Sequence, residues 1–251
     1  MQKLNLSISI ISYNEEKNIG RTLESIADIA SEIIIFDSHS TDKTKEIAES
    51  FGAKVILAEW EGHIKQKNKA LKSCTQEWII ALDCDEVITP ELKSNIINAI
   101  NNGTADGYKI NRETFYIGKL LKYAWQPDWN LRLVRTSSNP RWEGKNPHDE
   151  LKIDGNIEKL EGSLTHYSYK DMNNHFEKTI YYARLSAKTY FNMGKKFSLI
   201  NLFLNPWVAF VRLYFIRQGF RDGMHGLIAG FSTFTYTALK YFFLWELEQK
   251  K

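Results

Sequence analysis

The sequence predicts an α/β fold, with a mostly parallel sheet covered by helices on both faces. Short, nearly continuous apolar runs alternate with segments of helical periodicity through the first hundred residues, and three of those runs end in polar or acidic groups. From about residue 195 the chain changes character, becoming rich in Trp, Phe, Tyr and Leu with interspersed Lys and Arg, which predicts C-terminal amphipathic helices added to the α/β body.

The elements follow in order. "LSISIISY" (6–13) reads as a buried strand, and "NEEKNIGRTLESIADIA" after it repeats Ile19, Leu23, Ile26 and Ala30 at helical spacing. Asn14 suits an N-cap there, and Glu15 and Glu16 suit a first turn, where carboxylates meet the positive end of the helix dipole. "EIIIFD" (32–37) is a second strand ending on Asp37, and "STDKTKEIAESFG" a helix opened by Ser40 or Thr41 and closed by Gly52. "AKVILAEW" (53–60), "HIKQKNKALKSC" (63–74) and "EWIIALD" (77–83) read as strand, helix and strand. Thr89 and Pro90 then open a helix to about Ile100, with Thr as cap and Pro in the first turn. Ligands of such sheets bind outside the carboxyl ends of the strands, the edge that gathers Asn14, Glu15, Asp37, Asp83 and Asp85.

Composition narrows the function classes. The 251 residues suffice for one large domain or a domain with an appendage, and a formal net charge of +3 is too small to point to nucleic acid. Two cysteines, Cys74 and Cys84, make no disulfide framework and no Cys-x-x-Cys pair, which suits a reducing compartment. "MQKLNLSISIISYNEE" lacks the apolar core and cleavage site of a signal peptide, so a cytoplasmic protein is expected. "SYNEEKNIG" has no Gly-rich turn for a dinucleotide, and no G-x-x-x-x-G-K-[ST] is present for a P-loop.

The acids of "IIALDCDEV" carry the chemistry. Asp83 and Asp85, one residue apart on a turn, offer hard oxygen ligands for Mg²⁺ or Mn²⁺, which would neutralise a substrate diphosphate; the same pattern also caps helices and solvates turns. Cys84 reads as a small core residue pointing away from both, and Glu86 has no assigned role.

Together, "SIISYNEEKNIGRTLESI", "IIIFDSHSTDKTKEIA" and "WIIALDCDE" resemble the three N-terminal motifs of family 2 glycosyltransferases, whose fold is called GT-A. The resemblance implies an inverting transferase using a nucleotide-activated sugar. It implies that Asp37 meets the base, usually uracil, and that the turn from Ile11 to Glu15, with Ser12, Tyr13 and Asn14, walls the nucleotide pocket. It implies that Asp83 and Asp85 meet ribose and metal-diphosphate, with Lys65 and Gln66 beside the nucleotide.

Residues 104–170 are expected to carry the acceptor. Aromatic faces stack on sugar C–H surfaces and Arg forks grip anions, so Arg112, Trp125, Trp129 and Arg132 are candidates; the same mixture also builds an ordinary core layer. Inversion by a hydroxyl needs a carboxylate to take its proton, and "RWEGKNPHDEL" offers Asp149 and Glu150. This stretch, with "RLVR", "LTHYSY" and "YFIRQGFRDGMHGLIAG", resembles a family 2 subgroup that adds β-linked glucose to the heptose of lipopolysaccharide inner core. The subgroup tends to read Gly-x-Val-His-Glu-x-Leu where this chain reads "GKNPHDEL"; aligning His148, itself an acceptor-site candidate, puts Asp149 at the acid position with Glu150 beside it. The resemblance also makes His166 a candidate third metal ligand.

In the C-terminal segment, Pro206, Arg212, Arg217 and Arg221 interrupt one apolar run, and the second is uncharged only over 227–239. Both fall short of the roughly 20 residues of a spanning helix, so two helices lying on an anionic membrane surface are expected, with packing on the catalytic domain or on a second copy as the alternative. The expected organisation is a GT-A domain over 1–170, with a nucleotide-sugar half (1–103) and an acceptor half (104–170), and a helical extension over 171–251. It would transfer a hexose, glucose from UDP-glucose, to a lipopolysaccharide-type glycan at the cytoplasmic face of the inner membrane. A polyprenyl-phosphate glycosyltransferase and an inert glycan-binding scaffold are the rivals.

Overall fold

The computed structural model describes residues 3–145 and 148–250, save the side chains of Lys145 and His148. The chain forms two compact units: Met1–Arg112, Trp129–Gly144 and Asp149–His166 in one, and Glu113–Asp128, Lys145–His148 and Tyr167–Lys251 in the other.

The first unit is built on β1 (Leu4–Ser12), β2 (Ala30–Asp37), β3 (Lys54–Leu57) and β4 (Trp78–Ala81), which pair in parallel in the order β3-β2-β1-β4. The register sets Ser12 beside Asp37, and Ile8 beside both Ile33 and Ile80. Along β2, Ile33 and Ile35 join one core with Leu6, Ile8 and Ile10, while Ile34 and Phe36 join another with Ala70, Leu71 and Ile79. A strand buried on both faces has no use for polar alternation, which is why its sequence runs apolar without a break.

Helices α1 (Ile19–Glu24), α2 (Thr44–Ser50), α3 (His63–Lys72) and α4 (Pro90–Asn102) connect these strands and follow β4. In α4, Leu92, Ile96 and Ala99 form the buried stripe, and the Thr89 hydroxyl accepts the Leu92 N–H at 3.3 Å as expected of a cap. Each fully buried Leu or Ile contributes about 1.5–3 kcal/mol.

Two helices start later than the sequence reading placed them. Asn14 adopts φ 52°, and the backbone N–H groups of Asn14, Glu15 and Glu16 are donated to Ser40 Oγ, Thr44 Oγ1 and Asp42 Oδ2. The turn after β1 is thereby stitched to the turn after β2, and helix begins only at Ile19. Ser40 and Thr41 are engaged in the same stitching, so α2 opens at Thr44, whose N–H is accepted by Asp42 Oδ1 at 3.0 Å.

Beyond β4 the sheet continues through β5 (Glu86–Ile88), β6 (Gly107–Tyr116), β7 (Lys119–Leu120), β8 (Trp129–Arg135) and β11 (Ile157–Tyr169), in the order β4-β8-β6-β11-β5 with β7 paired to β6. The β4–β8, β8–β6 and β11–β5 pairs are antiparallel, in contrast to the parallel β3-β2-β1-β4 side. β9 (Arg141–Lys145) and β10 (His148–Lys152) form a separate two-stranded ribbon.

The second unit takes in Glu113–Asp128 as well as the helices α5 (Met172–Asn192), α6 (Leu199–Val211) and α7 (Met224–Gln249). Asp171 and Ser198 cap α5 and α6, and Tyr116, Leu121, Ala124, Leu213 and Ala229 form one of its cores. The Asp222 carboxylate collects the N–H groups of Lys122, Tyr123 and Ala124 at 3.1, 3.0 and 2.8 Å. A Cβ on Gly226 would lie 1.7 Å from the Gly219 carbonyl oxygen, so that approach admits only glycine.

The first C-terminal apolar run is longer than the sequence reading allowed. α6 continues through Pro206 and passes at Arg212 into a π turn closed by the Arg217 N–H on the Arg212 carbonyl at 2.9 Å. Leu199–Ile216 thus forms 18 helical residues of mean hydropathy 1.5, long and apolar enough by length and composition to cross a membrane, with 17% of the segment buried.

Candidate active site

At the carboxyl ends of β1 and β2, Asp37 is 1% exposed and its charge is met by neutral donors. Ser12 Oγ donates to Oδ2 at 2.7 Å, the Ser40 N–H to Oδ1 at 2.7 Å, and Ser40 Oγ to Oδ2 at 2.5 Å. Tyr13 beside it is 59% exposed, leaving its ring available for stacking. Gln66 is buried, with Nε2 3.4 Å from Ser38 Oγ and no partner for Oε1, whereas Lys65 is exposed on α3.

At the end of β4 the arrangement is ionic. The Leu82 N–H still bonds Ser9, after which the chain turns: the Glu86 N–H donates to the Asp83 carbonyl at 3.1 Å, and the Asp83 N–H to Glu86 Oε2 at 3.0 Å. Cys84 points into the core, 6% exposed, and burial pushes its thiol well above the usual range. Glu86 is fully buried and carries the architecture that the sequence reading left unassigned: Arg132 Nη2 lies 2.5 Å from its Oε1 and Arg112 Nη1 3.5 Å away. The antiparallel register of Ile80 with Leu133 sets Arg132 at the end of β4, where Nη2 also meets Asp83 at 3.1 Å.

Lys67 completes this cluster. Its Nζ lies 3.0 Å from Asp83 Oδ1 and 2.9 Å from Asp149 Oδ2, over the face of Trp142 at 4.3 Å. Burial works to lower the Lys67 ammonium, but Asp83 and Asp149 hold it above its ordinary value despite Arg132. Burial likewise works to raise Asp83; Lys67, Arg132 and Arg112 overcome it and hold the carboxyl well below the usual range. Asn68 fixes α3 to β9 with an amide pair, Nδ2 donating to the Trp142 carbonyl and Oδ1 accepting the Trp142 N–H, both at 2.9 Å.

Asp85 lies on the other side of the turn, with Oδ2 3.4 Å from His166 Nε2, because β11 pairs with β5 so that His166 stands opposite Glu86. That separation suits two ligands of one ion, since donors about 2.1 Å from a common cation and at right angles lie about 3 Å apart. Asp83 does not fit the same role, because Lys67 and Arg132 already neutralise its two oxygens. Among the described residues no three His, Cys, Asp or Glu side chains gather into a metal cage. Asp85 and His166 are therefore the residues that would hold a divalent cation such as Mg²⁺ or Mn²⁺.

The expected acceptor residues divide between the two units. Arg132, 4% exposed, and Arg112 face Glu86, so both serve the acid cluster; a buried ion pair and an anion-gripping fork look alike in sequence. Trp129 is half-buried with the Lys159 ammonium 4.6 Å over its ring. Trp125 belongs to the second unit, edge-on to Tyr116 and His175. Glu150 is exposed, Asp149 is the acid held in the cluster, and the His148 side chain lies outside the described residues. Sequence reasoning missed Lys67, Asn68 and Trp142; its one available signal was a lysine on the inward stripe of α3, in the series Ile64, Lys67, Leu71, Cys74.

Residues 7–153 match the model of "Glycosyl transferase family 2". The chain belongs to that family. The lipopolysaccharide core biosynthesis glycosyltransferase LpsC of Rhizobium meliloti is 30% identical over 94% of this chain and 90% of its own length, in keeping with the expected resemblance to lipopolysaccharide-core transferases. Among solved structures, the mannosyltransferase PcManGT from Pyrobaculum calidifontis, in complex with GDP-Man and Mn²⁺, aligns with a TM-score of 0.57 at 12% identity, covering 100% of this chain and 89% of that one. S. aureus TarS in complex with UDP-GlcNAc aligns with a TM-score of 0.52 at 17% identity, over 100% of this chain and 93% of that one. These family 2 neighbours agree with the α/β, GT-A reading of the fold with its C-terminal helices.

Proposed function

We propose that this family 2 transferase moves a hexose, glucose from UDP-glucose, onto a sugar hydroxyl of a lipopolysaccharide core or related envelope glycan, with inversion. The observation that carries the reading is Asp149, whose carboxylate shares one ammonium with the strand-end Asp83. Asp149 takes the acceptor proton: the O–H bond breaks, the oxygen bonds the anomeric carbon, and the bond to the diphosphate breaks with its electron pair leaving on UDP. Glu150, exposed, is the weaker candidate. Asp85 and His166 would hold a divalent cation, which would supply positive charge to neutralise the diphosphate. Ser12, Tyr13, Asn14, Glu15, Asp37 and Gln66 line the nucleotide side. The relative named for lipopolysaccharide core biosynthesis supports the acceptor class, and the neighbour holding UDP-GlcNAc supports a UDP-sugar donor.

The apolar face of α6, with Ile200, Phe203 and Trp207 exposed and Lys196, Arg212, Arg217 and Arg221 around it, fits an anionic lipid surface at the cytoplasmic face of the membrane that displays the acceptor. Co-sedimentation with anionic vesicles, lost in Phe203→Glu with Trp207→Glu, tests that part.

The deciding experiment measures UDP release across a donor panel with truncated lipopolysaccharide acceptors, and reads the product anomer by NMR. UDP-glucose giving a β-linked product is expected. An α-linked product overturns inversion, turnover confined to polyprenyl phosphates overturns the hydroxyl acceptor, and no metal-dependent UDP binding points to an inert scaffold.

A further inference from the structure

We infer that Lys67 is a positioning residue that fixes the Asp149 carboxylate for proton abstraction, an inference that rests on reading Asp149 as the base. Asp149 stands on the β9–β10 ribbon, outside the large sheet, so the ladder of that sheet does not fix its side chain. Lys67 does: its Nζ bonds Oδ2 at 2.9 Å and leaves Oδ1 as the oxygen that receives the proton.

Three observations separate this from a merely structural lysine. Lys67 occupies the inward stripe of α3 among Ile64, Leu71 and Cys74, where packing alone favours an apolar residue, and its side chain is only 12% exposed. Holding an ammonium in such a place is costly, and Asp83 and Asp149, 66 residues apart in sequence, are what compensate it. The helix that carries it is fastened to the ribbon next door in sequence, by the Asn68 amide pair on Trp142, so the Lys67 stem and the Asp149 strand are located against one another. Asp83 keeps Arg132 when Lys67 is removed, so donor binding does not depend on Lys67 alone.

The test is a double-mutant cycle on the full chain, in steady-state transfer with labelled donor, using Lys67→Met, Asp149→Asn and the pair. Lys67→Met is expected to lower kcat about 100-fold, the cost of a misplaced reacting group, with the donor KM nearly unchanged. In the Asp149→Asn background it is expected to cost little more, and Lys67→Arg to recover much of the loss. Losses that multiply, or a Lys67→Met enzyme of normal kcat, overturn the inference. Should Lys67→Met not fold, Lys67→Arg and Lys67→Gln run the same cycle. An Asp149→Asn enzyme that keeps its activity instead overturns the base assignment, an outcome distinct from either.

Discussion

Asp37 and Asp83 stand at the carboxyl ends of neighbouring parts of one sheet, yet they are held in opposite ways. Asp37 is satisfied by two hydroxyls and a backbone N–H, from Ser12 at the end of the neighbouring strand and Ser40 in the turn that follows. Asp83 is satisfied by Lys67 from a helix and Arg132 from an antiparallel strand, with Glu86 beneath as the fully buried counter-ion of Arg132. Neutral donors orient a carboxylate without fixing the charge around it, which suits recognition of a nucleoside. Cations set the local charge and tie distant segments together, which suits a place where charge must move.

The difference has measurable consequences. The largest is at Glu86: Glu86→Ala strands Arg132 among buried groups and is expected to cost about 3–5 kcal/mol in chemical denaturation, whereas a loss under about 1 kcal/mol would mean that the ionic cluster does not hold the sheet end.

Next comes pH. Neutral satisfaction recurs at His175 in the second unit, which is 1% exposed and hydrogen-bonded to the Tyr116 hydroxyl at 2.7 Å; burial lowers its pKa to about 4. The unfolded chain binds this proton near pH 6.5 and the folded chain does not, so its stability is complete above that and is lost as pH falls toward 4. Unfolding at pH 5 should show about 2 kcal/mol less stability than at pH 7, a difference that His175→Gln removes. Asp83, held low, keeps its contribution throughout that window and loses it only below the ordinary carboxyl range. A pH dependence that survives His175→Gln would assign the window to other groups.

The smallest effect is at Asp37. Asp37→Asn keeps an acceptor for the Ser40 N–H and is expected to cost about 1–2 kcal/mol of stability while weakening UDP binding; a cost matching that of Glu86→Ala would erase the contrast between the two acids.

The same contrast marks what could be read from the chain. β1 to β4, the helices between them and the acids at their ends were legible because each is announced by local pattern. Glu86 was not, because its partners Arg112 and Arg132 arrive through antiparallel pairing that only the folded chain brings about. Arg132 was read as an acceptor contact for the same reason. Lys67 was hidden one residue from Gln66, since a one-residue step rotates a helix by about 100° and the pattern does not announce that both side chains are largely buried. The length of α6 was underread because Pro206 and Arg212 are interruptions in a sequence but not in this helix, which carries Arg212 into a π turn.

The most direct measurement is single-turnover transfer to a hydroxyl acceptor by Asp149→Asn beside Glu150→Gln, with UDP-sugar affinity followed by calorimetry. Asp149→Asn should lower the rate about 10²–10⁴-fold with donor affinity retained, and Glu150→Gln should stay within about threefold of the unaltered enzyme. An Asp149→Asn enzyme that transfers at nearly the full rate would contradict proton abstraction by Asp149, and with it the assignment of the ionic cluster to the reacting end of the site.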